Sequence, residues 1–191
     1  MKIEDVKRVA VIGAGNMGHQ ISTLCALSGY VTKCTDIEAN ALKKAEDFAE
    51  DYLPGRVKKG KLTEDQAKQA RERLTFTQDF NEAVKDADFV IEAAAEEVEI
   101  KRGIFVQLDR TAPSHSILAT NSSYIVSSRV ADATNRQDKV VNLHFFNPAL
   151  VMKLVEVVQG PHVSDETTEI CFRLCESLNK VPVHLRKEVK G

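Results

Sequence analysis

The chain has 191 residues, enough for one sizeable domain that buries roughly 70% of its unfolded surface without a disulfide or metal staple. Its 26 basic and 28 acidic residues are evenly mixed, with a formal net charge of -2, which excludes a basic stripe for nucleic acid and a polybasic patch for a membrane surface. The opening "MKIEDVKRVAVIG" lacks the apolar core of a signal peptide, and no apolar run approaches the ~18 residues of a membrane span.

In chain order, the sequence predicts strands and helices in alternation. "RVAVIG" is a short apolar strand, and a glycine-rich stretch then opens an apolar helix that ends at "LSGY". A second strand runs Val31–Asp36. A helix over "ANALKKAEDFAEDYL" is expected to close at Pro54-Gly55, because proline cannot donate to the helix ladder. A polar helix from Thr63 carries a capping box, Thr63 with Gln66, and reads as an insertion facing solvent. Further strands are expected at Asp88–Ala94, Ser116–Asn121, Lys139–Phe146 and "VMKLVEVV". A helix over "SDETTEICFRLCESLNK" and a final strand, "VPVHL", follow. Strands rich in Val and Ile that alternate with helices imply an α/β fold with a mostly parallel sheet covered on both faces. The four cysteines, Cys25, Cys34, Cys171 and Cys175, lack CxxC spacing and read as reduced thiols of a cytoplasmic protein, not as metal ligands.

"VIGAGNMG" sets Gly13, Gly15 and Gly18 in a G-x-G-x-x-G pattern, between a predicted strand and a predicted helix. In that context Gly13 permits the tight turn, Gly15 lets a pyrophosphate approach the backbone, and Gly18 lets the helix pack on the strand. The loop Gly13-Ala14-Gly15-Asn16-Met17-Gly18 and the following helix N-terminus then cradle phosphate. Asp36 ends the second strand eighteen residues beyond Gly18. A carboxylate there accepts both hydroxyls of an adenosine ribose and repels a 2′-phosphate. No arginine follows in "DIEAN", so the cofactor expected is NAD and not NADP.

"NLHFFNPALVMKLVEVV" holds two apolar segments around Asn147-Pro148, with His144 in the first and Glu156 in the second. A turn at Asn147-Pro148 brings the second segment back beside the first, and the carboxylate then accepts the far ring N–H of the imidazole. That fixes the tautomer and raises the basicity of the other nitrogen. A histidine so held takes a proton from an alcohol. Spacing alone leaves open a satisfied core histidine and a surface glutamate.

Four segments, "VIGAGNMGHQIS", "DFVIEAAAEEVEIKRGIF", "ILATNSSYI" and "LHFFNPALVMKLVEVV", run in order along nearly the whole chain. Together they resemble the L-3-hydroxyacyl-CoA dehydrogenase family, in its bacterial 3-hydroxybutyryl-CoA branch. The resemblance implies a Rossmann-like NAD-binding domain over residues 1–185, with residues 186–191 starting the linker to an all-helical C-terminal domain outside this chain. That second domain supplies a dimer contact, a catalytic Asn and half of the substrate cleft, so a homodimer or larger assembly is implied for the full-length parent. His144 becomes the general base toward the 3-hydroxyl and Glu156 its orienting partner. Ser123 hydrogen-bonds the reacting oxygen and, with Asn147, flanks the nicotinamide. Glu96 and Lys101 match positions that contact the cofactor ribose and nicotinamide side, and Lys59 falls near a lysine that contacts the CoA phosphates; a solvated charge run is the competing reading of Lys59. Tyr124 departs from the family's hydroxyl-rich pattern after Ser123. The implied reaction is hydride transfer from carbon 3 of an L-3-hydroxyacyl-CoA to NAD, with this chain alone turning over poorly. Relatives acting on carnitine, sugar acids or diketones, and a dinucleotide-binding fragment without activity, are the alternatives.

Overall fold

In a computed structural model, which describes residues 1–188, eight strands form one sheet in the order β3-β2-β1-β4-β5-β6-β7-β8. The strands are β1 (Arg8–Ile12), β2 (Val31–Thr35), β3 (Leu74–Thr77), β4 (Phe89–Glu92), β5 (Ile117–Thr120), β6 (Val140–Phe145), β7 (Leu154–Val158) and β8 (Val181–Leu185). The helices are α1 (Gly18–Leu27), α2 (Ala39–Lys58), α3 (Glu64–Arg73), α4 (Phe80–Val84), α5 (Val98–Thr111), α6 (Ser128–Ala131) and α7 (Asp165–Ser177). Strands β1 to β6 are parallel; β7 pairs antiparallel with β6, and β8 parallel with β7. This is a doubly wound, Rossmann-like α/β fold. No helix among the described residues is long and apolar enough to cross a membrane.

The strands read as unbroken apolar runs because both faces are covered. Along β1, Val9 and Val11 pack with Ile21 and Leu24 of α1 and Leu174 of α7, while Ala10 and Ile12 pack on the other face with Phe105 and Leu108 of α5 and Val130 of α6. In β4, Phe89 and Ile91 take the first face and Val90 the second. The four cysteines are buried and unpaired, and burial pushes the thiols of Cys25, Cys34 and Cys175 up to about 12.

Three local expectations are corrected. Helix α2 does not close at Pro54-Gly55 but runs through Pro54 to Lys58. Leu53 and Val57, on either side of the proline, pack against Ala67 and Ala70 of α3, and this tertiary burial carries the helix past the missing N–H. The same contact means that α3 is not an insertion facing solvent: its Thr63–Gln66 capping box forms, but its alanine face is buried on α2. Finally, Leu74, the last residue of the expected polar helix, starts "LTFT", which forms β3, an edge strand beside β2 that the sequence reading did not assign.

Candidate active site

The first turn after β1 needs glycine twice. Gly13 has φ +99°, and a Cβ there would lie 2.7 Å from the carbonyl oxygen of Ala93. A Cβ on Gly18 would lie 1.8 Å from the carbonyl oxygen of Gly13, so only glycine lets α1 start this close to β1. Gly15 meets nothing within 4 Å and leaves open space over the loop. Between β1 and β4 the connections leave the sheet in opposite directions, the switch point where open α/β sheets bind ligands. A cleft of about 370 Å³ opens there, lined by Gly13, Asp36, Ile37, Ala94, Ile100 and Gln107 among others. One Asp36 oxygen accepts from the Ala14 N–H at 2.7 Å and the other from the Glu38 N–H at 2.9 Å, which aims the carboxylate into the cleft mouth. The open loop, the cleft volume and a fixed carboxylate fit the adenosine end of a dinucleotide.

The other end is built by the antiparallel pair. His144 and Glu156 are directly opposed in the β6–β7 register, so their side chains share one face of the sheet. The connection between the two strands contains Asn147-Pro148, with a cis bond. His144 Nδ1 lies 3.0 Å from Glu156 Oε2, and its Nε2 lies 3.0 Å from Ser123 Oγ. A carboxylate accepts only, so Nδ1 carries the proton, and in the neutral ring Nε2 is then the acceptor facing Ser123 Oγ. His144 is mostly covered, with 17% of its side chain exposed, and Phe146 packs against the ring at 4.7 Å. Asn147 Oδ1 accepts from Gln20 Nε2 at 3.4 Å, which ties the β6–β7 connection to the first turn of α1.

Glu96 and Lys101 lie between the two ends. Glu96 accepts from Ser122 Oγ and from the Tyr124 N–H. Burial raises its carboxyl, but Ser122, Lys101 and the Tyr124 N–H together hold it below the usual carboxylate range. Lys101 is 1% exposed, and its ammonium sits beneath Glu96, bonded to both oxygens of Glu92 at 2.7 and 2.9 Å. Lys59 is elsewhere: it is exposed at the end of α2, on a groove of about 460 Å³ with Lys44, Asp47, Phe48, Asp51, Tyr52 and Arg56, three basic side chains against two acidic ones. A file of rings leads from that groove back to the phosphate loop. Arg56 lies over Tyr52, Tyr52 stacks on Phe48 at 5.3 Å, and Phe48 meets His19 edge-on at 4.4 Å.

Sequence reasoning missed the buried polar residues that hold this edge together. Asn121 Oδ1 accepts from the Phe145 N–H, and Asn142 donates to the carbonyls of Thr120 and Ser122. Thr120 donates to Glu92. The signal was present as polar residues inside or just after otherwise apolar strand runs, such as the glutamate of "FVIEAA".

A glycine-rich loop at the switch point of a doubly wound sheet, with the Asp36 carboxylate held at the end of β2, defines a dinucleotide-binding domain, and a carboxylate–imidazole–hydroxyl chain lies along the same sheet edge. Residues 8–189 match the family model of the 3-hydroxyacyl-CoA dehydrogenase NAD-binding domain, and the chain belongs to that family. It is an NAD-binding domain. It is 41% identical over 179 residues to the 3-hydroxyadipyl-CoA dehydrogenase of Escherichia coli strain K12, covering 94% of this chain and 38% of that protein. It is 37% identical over 181 residues to a probable 3-hydroxybutyryl-CoA dehydrogenase of Bacillus subtilis strain 168, covering 95% of this chain and 63% of that one. Among solved structures, the (S)-3-hydroxybutyryl-CoA dehydrogenase of Ralstonia eutropha superposes with a TM-score of 0.92 at 34% identity, over 96% of this chain and 65% of that one. The chain thus spans less than two thirds of the length of each of these relatives.

Proposed function

We propose that this domain is the nucleotide-binding half of an NAD-dependent L-3-hydroxyacyl-CoA dehydrogenase acting on a short acyl chain, 3-hydroxybutyryl-CoA. The observation that carries the reading is the Ser123–His144–Glu156 chain of two 3.0 Å contacts, open at the same sheet edge as the glycine loop. Bound NAD supplies the hydride acceptor for carbon 3. His144 Nε2 takes the hydroxyl proton as that hydride leaves, and Glu156 stabilises the imidazolium that results. Ser123 donates to or accepts from the reacting oxygen and holds it within reach of Nε2. Glu96 faces the cofactor ribose with Lys101 behind it, and Asn147 flanks the nicotinamide. Lys59, with Arg56 and Lys44 along the α2 groove, meets the CoA phosphates. A helical second domain completes the cleft, in keeping with the greater length of the relatives.

Two measurements test this. Calorimetry on the 191-residue chain is expected to give much tighter binding of NADH than of NADPH, with Asp36→Ala weakening NADH about tenfold, a loss near 1.4 kcal/mol, and narrowing the gap. Equal affinity for both cofactors in the unmutated chain would remove Asp36 from its role. The two-domain protein is expected to reduce acetoacetyl-CoA with NADH; turnover on carnitine, a sugar acid or a diketone instead would replace the acyl-CoA reading.

A further inference from the structure

The last residue of the central strand β4, Glu92, is 0% exposed, and its partner Lys101 is 1% exposed. A buried ion pair is costly to desolvate, and it adds little to stability over apolar residues of the same size. Its place in the fold gives it another use. Glu92 Oε1 accepts from the Ala94 N–H at 2.7 Å, and Ala93 and Ala94 form the backbone against which Gly13 packs. Glu92 Oε2 accepts from Thr120 Oγ1 at 2.7 Å, its register partner on β5. Both oxygens take the Lys101 ammonium, which also lies 3.5 Å from Glu96 Oε2. Glu96 in turn holds the Ser122 hydroxyl and the Tyr124 N–H, the residues on either side of Ser123.

We propose that Glu92 is a positioning residue for the reacting pair: through Lys101 it fixes Glu96, and Glu96 clamps the Ser122–Tyr124 turn so that Ser123 Oγ stays on His144 Nε2. The links of Glu92 to Lys101 and Thr120 are buried and that of Glu96 to Ser122 is half-buried, while the Tyr124 N–H contact to Glu96 and the Ser123 contact to His144 lie at the exposed end of the chain. The buried members have few alternatives, so they fix where the exposed ones stand. A glutamine at position 92 brings an NH2 group against donors already present at Lys101, Thr120 and Ala94, so at least one link must open. The turn then relaxes away from His144 although no group touching substrate or cofactor has changed. The inference takes Ser123 and His144 as the reacting pair from the proposed function.

The test needs neither substrate nor cofactor, so its failure is separable from failure of the acyl-CoA reading. The nitrogen-15 resonance of His144 Nε2 is measured in the 191-residue chain, with Ser123→Ala marking its position when the serine contact is lost. Glu92→Gln and Glu96→Gln are expected to move the resonance at least half of the way to the Ser123→Ala position, and Glu99→Gln, on the same helix outside the network, to leave it in place. Glu92→Gln also strands a buried ammonium, so the double variant Glu92→Gln/Lys101→Met, which removes both charges, is measured beside it. A wild-type resonance in Glu96→Gln, or in whichever Glu92 variant folds as judged by circular dichroism, would overturn the proposal.

Discussion

Two imidazole–carboxylate pairs stand at opposite edges of the same sheet. At the carboxyl edge His144 Nδ1 meets Glu156 at 3.0 Å, and at the amino edge His115 Nε2 meets Asp88 at 2.9 Å. Their lengths are alike and their surroundings are not. Asp88 also accepts the N–H groups of Lys7 and Arg8, so it stitches the start of β1 to the start of β4, and His115 is 49% exposed. Among the described residues His115 makes no second hydrogen bond. His144 is mostly covered, and its second nitrogen faces a serine at a cofactor-binding edge. Between these two pairs, Asp88 accepts backbone N–H groups at the start of β1 and reads as structural, while Glu156 only orients a ring whose far nitrogen is engaged by a hydroxyl and reads as chemical. Pair geometry alone does not separate them.

The sharpest way to break this contrast is to remove each ring in the two-domain protein. His144→Ala is expected to lower kcat for acetoacetyl-CoA reduction by on the order of 10²–10⁴-fold while leaving NADH affinity nearly intact, because the base is lost and the cofactor contacts are not. His115→Ala is expected to leave kcat unchanged in the same assay. A smaller effect comes from the carboxylates. Glu156→Gln is expected to lower kcat less than His144→Ala does, since the ring keeps a hydrogen-bond partner but loses the charge that stabilises the imidazolium, and to leave the melting temperature near that of the parent. Asp88→Asn should do the reverse. Two backbone donors lose a charged acceptor, a cost of about 1–3 kcal/mol, or roughly 2–4 °C in Tm for each kcal/mol at this chain length. A Glu156→Gln variant with full activity would break the orienting role.

The smallest effect is one of pH. Burial raises the Asp88 carboxyl, but the Lys7 N–H, His115 and the Arg8 N–H outweigh it and hold it below the usual aspartate value. A group depressed in the folded state contributes stability that is complete above its unfolded value, about 3.9, and that is lost as the pH falls through the lower folded value. Thermal melts are therefore expected to fall on acidification below about pH 4, with a shallower acid limb in Asp88→Asn. An unchanged limb would mean that the pair does not hold β1 to β4.

Legibility in the sequence followed the range of the interactions. The glycine loop, Asp36 and the apolar strands are local patterns, and each lies where its spacing implies. The approach of His144 to Glu156 was half legible: Asn147-Pro148 permits a short return between two apolar runs, but spacing left it open and the family resemblance decided it. Contacts decided by distant packing were not. Helix α2 passes Pro54 because α3 covers it, and "LTFT" pairs as a strand because β2 offers an edge. Lys101, expected from "AEEVEIK" beside the cofactor, is 1% exposed because Glu92, nine residues earlier, waits inside the sheet. A single buried carboxylate at the end of an apolar run carries little sequence signal, and its partners come from three different segments.

The central claim is that this edge passes a hydride and a proton across carbon 3 of an acyl-CoA. The measurement that reaches it most directly is isotope transfer by the two-domain protein, with acetoacetyl-CoA and NADH carrying deuterium at the transferable position of nicotinamide carbon 4. The account predicts L-3-hydroxybutyryl-CoA with one deuterium at carbon 3, and loss of that product in His144→Ala. A product without deuterium at carbon 3, a D-configured alcohol, or undiminished transfer in His144→Ala would contradict it.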